Sequence, residues 1–197
     1  MTAMLDLAFD ISGGTLPPTY PFALWAELVR HAPQLENDES VGVLPLRAAE
    51  SAGDVLLPKR AKLVLRIPAT LSEKMMSNLA GQRLDLDGIP VQLGTGKTRS
   101  LTPHPTVHAQ QVASTEDEES FMESARTWLG EMGIACSLIC GMRRTISGEE
   151  LSIHGYSLVA HGLKPDASLH LQSSGLGAGR CFGCGIFLPY KVISGLE

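Results

Sequence analysis

Apolar residues alternate with polar or small ones at the start of the chain (Met4, Leu5, Leu7, Phe9, Ile11), and this period of two predicts a strand over residues 4–11. Ser12-Gly13-Gly14 and Pro17-Pro18 then break the pattern into a loop. From Pro21 the period lengthens. Phe22, Leu24, Trp25, Leu28 and Val29 recur at helical spacing until Pro33 ends the run. Residues 41–46 and 59–67 predict two further strands. In the second, Leu63, Leu65 and Ile67 share one face, and Lys62, Val64 and Arg66 the other. Residues 71–79 predict a second helix, closed near Gly81. Residues 84–86 and 89–93 flank Asp87-Gly88, a dipeptide that favours a tight hairpin. The order is β-α-β-β-α-β, the ferredoxin-like arrangement.

The pattern then repeats. Thr102-Pro103-His104-Pro105 reads as a linker, and residues 107–112 as a strand. Ser114 to Glu119 supply an N-cap and an acidic first turn for a helix carrying Phe121, Met122, Ala125 and Leu129. Strands are expected over 134–139 and 151–160, a short helix over 165–172, and a final strand over 185–188, stopped by Pro189. The fold class expected is α+β: tandem ferredoxin-like (RRM-like) units, residues 1–101 and 102–197, with a glycine-rich loop near the C-terminus.

That loop runs from Ser174 to Gly185 and holds five of the twenty glycines within eleven residues. Glycine clusters mark positive φ or close backbone approach. The loop is not a dinucleotide fingerprint, which needs G-x-G-x-x-G: from Gly175 the third glycine falls on Arg180, and from Gly177 on Phe182. Gly94-Thr95-Gly96-Lys97-Thr98 ends like a phosphate loop, but Val91 stands where its leading glycine belongs. Two readings of the C-terminal loop remain: a cradle of N–H groups around a phosphate, with Arg180 beside it, or a tight turn packed for shape.

Charge changes this picture little. The 16 Lys and Arg against 21 Asp and Glu give a net charge of −5, which argues against diffuse nucleic-acid affinity but leaves room for a local basic groove. The cations gather as Lys59, Arg60, Lys62 and Arg66; as Lys97 and Arg99; as Arg143 and Arg144; and as Arg180 and Lys191. No apolar run approaches the length of a membrane span, and the first residues lack a secretory signal, so a cytoplasmic protein without a membrane partner is expected. Cys136, Cys140, Cys181 and Cys184 spell C-x3-C and C-x2-C, a zinc-like spacing. Cys136 and Cys140 lie in an apolar run, however, and read as small hydrophobes, so neither metal nor cofactor is expected. His104 and His108 are i, i+4, but Pro105 between them makes a helical metal pair a poor fit.

Two tandem ferredoxin-like units with a glycine loop before the last strand resemble the RAMP superfamily of CRISPR-associated proteins. The resemblance is to the CRISPR repeat endoribonuclease family, Cas-six, in its myxobacterial-type (MYXAN) subtype. It is carried by Leu16-Pro17, the run from Pro58 to Pro68, Ile139-Cys140-Gly141, the run from Gln172 to Gly177 and, most specifically, the run from Gly183 to Lys191.

The resemblance implies binding of CRISPR repeat RNA at a stem-loop and one metal-independent cut per repeat. The products would be a 2′,3′-cyclic phosphate and a 5′-hydroxyl, and the protein would stay on the guide RNA among Cascade-type effector subunits. Such chemistry needs a base, an acid and cations around the phosphorane. The candidates are His31, the sole histidine of the first unit, with Tyr20 and Lys59. RNA contacts are expected from Lys59, Arg60, Lys62, Arg66, Lys97, Arg99, Arg143, Arg144, Gly175, Gly177, Gly179, Arg180 and Lys191. The subtype's Asp-His pair after Leu-Pro is Thr19-Tyr20 here, and its second-strand histidine is replaced at Leu44-Pro45. These departures keep an alternative open: a catalytically weak subunit that caps the 3′ stem-loop of the guide RNA.

Overall fold

The computed structural model describes residues 3–46, 49–51 and 54–190. Its residues cluster into two compact units. The first comprises Met1–Ser100, Ile146–Ser152 and Arg180–Gly183; the second comprises Leu101–Thr145, Ile153–Gly179 and Cys184–Glu197.

In the first unit the strands are β1 (Met4–Gly13), β2 (Thr15–Leu16), β3 (Gly42–Val43), β4 (Ala49–Ser51), β5 (Asp54–Leu56), β6 (Lys62–Pro68), β7 (Arg83–Leu86) and β8 (Ile89–Ser100). The helices are α1 (Tyr20–His31) and α2 (Ser72–Leu79). The main sheet has the order β3-β6-β1-β8-β7, so the principal strands run second, third, first, fourth. Leu7, Phe9 and Ile11 of β1, with Leu63, Leu65 and Ile67 of β6, bury one face against Leu24 and Leu28 of α1 and Met75 and Leu79 of α2. The alternation that predicted β1 and β6 is this one-sided burial.

Three departures have local causes. The strand expected over 41–46 shrinks to β3, where Gly42 and Val43 pair with Arg66 and Leu65 and the Leu44 N–H donates to Val64 O at 2.9 Å. Lys59 and Arg60 form a turn closed by the Ala61 N–H donating to Pro58 O at 2.9 Å, so β6 starts later than expected. A small sheet of order β2-β5-β4 was not anticipated.

The second unit holds β9 (Thr106–Ala113), α3 (Glu118–Glu131), β10 (Ser137–Ser147), β11 (Ser152–His161), α4 (Pro165–Ser174) and β12 (Leu188–Pro189). Its sheet order is β10-β11-β9-β12, again second, third, first, fourth. Phe121, Ala125 and Leu129 of α3 and Leu171 of α4 cover Val107, Ala109, Tyr156, Leu158 and Ala160. Asp117 caps α3 by accepting from the Ser120 N–H at 2.9 Å. The apolar run that predicted a strand from 134 was misplaced at its start. The Ile134 N–H bonds back to Leu129 O, so Ile134 closes the helix, and β10 begins at Ser137. Among the described residues, no helix is long and apolar enough to cross a membrane.

The glycine loop is cut by the division into units: Arg180–Gly183 fall in the first, Gly179 and Cys184 in the second. Gly185 has φ +66°, and a Cβ there would land on Leu176 O. Its own N–H donates to Gln111 O at 2.7 Å. Gly185→Ala is therefore expected to cost more than about 2 kcal/mol, combining a left-handed backbone with a steric overlap; denaturant unfolding against wild type measures it. Ile186 and Phe187 are buried but lie outside the final strand, which pairs only Leu188 and Pro189. Pro189 is tolerated there because β12 is an edge strand.

Candidate functional site

Helix α1 places the catalytic candidates of the first unit. Pro21 pre-sets its first turn, the buried Leu24 and Leu28 hold it to the sheet, and the Ala32 N–H closes it on Leu28 O. Tyr20 opens the helix and His31 ends it, so a rise of 1.5 Å per residue separates them by about 16 Å. One phosphate cannot meet both side chains while the helix stays intact. Tyr20 is held locally: the Leu46 N–H donates to its hydroxyl oxygen at 3.2 Å. Lys59 is exposed in its turn.

His31 sits in a network. Glu27 accepts from Arg30 through both oxygens, Nε to Oε1 and Nη2 to Oε2, each at 2.8 Å. Glu27 also accepts from the Asp85 N–H of β7 at 2.9 Å. Arg30 and then the Asp85 amide hold the Glu27 carboxyl below the usual range. Arg30 Nη2 lies 3.1 Å from His31 Nε2. A guanidinium has donors only, so this contact is a hydrogen bond only in the tautomer that leaves Nε2 without a proton. The half-buried imidazole sits beside an exposed cation. The sequence reading missed Glu27 and Arg30. Their i, i+3 spacing was a visible signal, whereas the Asp85 contact depends on how β7 packs.

The expected RNA-contacting residues divide by exposure. Lys59, Arg60, Lys97, Arg99, Arg143 and Arg144 are exposed. In the sheet register Arg99 stands opposite Asp6, and Lys97 opposite Ala8. Lys62 is exposed but paired with Asp10, whose carboxyl this bond pulls down. Arg143 lies over the Tyr156 ring, 5.7 Å from its centroid.

Arg66 corrects the expectation. It is 1% exposed and donates to both oxygens of Asp6, at 2.7 and 3.0 Å, so it is an internal ion pair rather than a groove cation. Arg180 is corrected because it is likewise withdrawn from solvent. It is buried, donates to Ser40 O at 3.0 Å, and has its proton affinity lowered to about 10 by burial and by Arg66. Phe182 next to it packs on Phe22 with centroids 4.8 Å apart. Lys191 lies outside the described residues.

The glycine loop is mostly self-satisfied. The N–H groups of Gly175, Leu176, Gly183, Cys184 and Gly185 donate to Leu171, Gly185, Arg180, Gly179 and Gln111 carbonyls. Gly175 is buried, and its N–H is taken up by Leu171 O. The exposed part is the tip at Gly177 and Ala178, with Gly179 half-buried behind it.

Three of the second-unit histidines hold local bonds. His104 Nδ1 lies 2.7 Å from Thr106 O, His161 Nδ1 2.6 Å from Thr106 Oγ1, and His154 Nδ1 3.0 Å from Thr145 Oγ1. The four cysteines are free thiols. Among the described residues, no group of three or more His, Cys, Asp or Glu side chains is placed to hold a metal ion.

Comparison with known proteins gives a consistent result. A family model described as Cas6 Crispr matches residues 5–192. The CRISPR-associated endonuclease Cas6 of Myxococcus xanthus (strain DK1622) is 30% identical over 191 residues, which is 96% of this chain and 83% of the relative. A solved structure of a Cas6-related gene product from Pyrococcus furiosus is similar with a TM-score of 0.68 at 10% identity, covering 94% of this chain and 98% of that one. A RAMP protein described as binding different RNA substrates reaches a TM-score of 0.66 at 10% identity, covering 95% and 100%. At these identities the two structures establish the fold, the α+β architecture of tandem ferredoxin-like units.

Proposed function

From the premise that this chain belongs to the Cas6 family, we propose that it is an endoribonuclease that binds CRISPR repeat RNA and cuts the precursor transcript once per repeat. The observation that carries this reading is the family match, which spans residues 5–192 rather than one motif. In the finer reading the RNA supplies its own nucleophile, and no metal takes part. His31 Nε2 removes the proton of the 2′-hydroxyl, and the 2′-oxygen attacks the adjacent phosphorus. The bond from phosphorus to the 5′-oxygen breaks as that oxygen takes up a proton from water, and His31 then returns the proton it took to solvent. The products are a 2′,3′-cyclic phosphate and a 5′-hydroxyl.

An imidazole suits the base role, and His31 Nε2 can take the proton once Arg30 turns away. Arg30, so released, can donate to a non-bridging phosphate oxygen and stabilise the charge that develops there. Lys59, Arg60, Lys97, Arg99, Arg143 and Arg144 would hold the RNA backbone by phosphate contacts. After the cut the protein would remain on the guide RNA as part of a Cascade-type effector in the cytoplasm.

A second reading, a non-cutting cap on the 3′ stem-loop, is favoured by one observation: Thr19-Tyr20 and Leu44-Pro45 stand where the resemblance places histidines. One experiment separates the two. The protein is incubated with its cognate repeat RNA in EDTA, and the product ends are identified by mass spectrometry. The endoribonuclease reading expects one cut with a cyclic phosphate. Tight binding without product would leave the cap.

A further inference from the structure

The second unit carries a ring pair that the cleavage chemistry does not use. Strands β9 and β12 set His108 opposite Leu188 and Val107 opposite Pro189. The Tyr190 N–H donates to Thr106 O at 3.0 Å and extends this pairing by one residue. Side chains alternate along a strand, so Leu188 and Tyr190 share the face of His108, opposite the one on which Val107 and Ala109 enter the core. The two rings meet there, with centroids 5.3 Å apart and planes at 49°.

Tyr190 is 45% exposed, while His108 is half-buried. Burial, and then the charge of Arg144, push the proton affinity of His108 down. Arg144 itself is exposed on β10. An exposed ring, fixed from behind by a second ring, is matched to an unstacked nucleotide. The ring covers one face of the base.

We propose that Tyr190, backed by His108, stacks an unpaired nucleobase of the bound RNA. This is a binding site in the second unit, distinct from the His31 network, and it rests on the RNA-binding reading above. Stacking of this kind tolerates any base, because every base has a π face.

The test uses the full chain and two RNAs: the repeat stem-loop alone, and the same stem-loop with its unpaired flanks, in which single flank positions carry 2-aminopurine. Wild type is expected to bind the flanked RNA about tenfold more tightly than the bare stem-loop, the scale of one base stacked on an aromatic ring. It is also expected to quench 2-aminopurine at one position. Tyr190→Ala should bind the two RNAs alike and lose that quenching, and Tyr190→Phe should retain both. If wild type shows no preference, or Tyr190→Ala keeps it, the stacking site is overturned. If wild type binds neither RNA, the RNA-binding reading itself falls.

Discussion

Replacing His31 with alanine is expected to slow cleavage of the repeat RNA by ~10² or more, the usual scale for a lost general base, while leaving the dissociation constant nearly unchanged. Single-turnover rates with saturating protein measure the first quantity, and filter binding the second. The control is Tyr20→Phe. Tyr20 lies about 16 Å away along α1, and its oxygen accepts from the Leu46 N–H. Its loss should affect unfolding more than turnover. The reverse outcome, with Tyr20→Phe inactive and His31→Ala fully active, would move the reaction centre to the other end of the helix. Arg30→Ala should fall between these, since it removes a charge beside the phosphate but leaves the base.

The second large effect concerns stability. Asp6→Ala is expected to destabilise the protein by about 3 kcal/mol or more, because breaking one side of a buried pair strands the other charge. Arg66 is 1% exposed and donates twice to Asp6, and Arg180 is close enough to lower its own proton affinity through the repulsion. Asp10→Ala is the comparison. Its partner Lys62 lies in the same sheet four residues along the strand from Arg66, but both side chains are open to water, so the unfolding midpoint should hardly move. Urea unfolding of the two variants measures the difference, and equal midpoints would contradict the burial argument.

The sequence pattern made these strands visible but not what covers them. Leu63, Leu65 and Ile67 alternate because one face of β6 meets the helices, and that reading correctly set Lys62, Val64 and Arg66 on the opposite face. The pattern did not show that Arg66 is closed off from water. Its partner Asp6 comes from another strand, and the neighbouring Arg180 lies far along the chain. Period-two reading therefore placed Lys62 and Arg66 in one class, although one is exposed and the other a core ion pair.

The same limit applies to the candidate site. His31 was legible as the sole histidine of the first unit, and the Glu27–Arg30 spacing is a local signal. The register that brings Asp85 to Glu27 depends on packing between α1 and β7. The glycine loop was legible as a place of positive φ, but its carbonyl partners, Gln111 among them, are set by tertiary structure.

The assignment of Arg180–Gly183 and Ile146–Ser152 to the first unit has a consequence for dissection of the protein. No single cut in the chain releases either unit whole. A fragment ending at Ser100 would lack Arg180 against Ser40 and Phe182 against Phe22, and a fragment beginning at Leu101 would carry those side chains without their partners. Expression of separate halves would thus misreport the folding energy of each. A split intended to reassemble would have to leave the tail after Gly179 able to thread back.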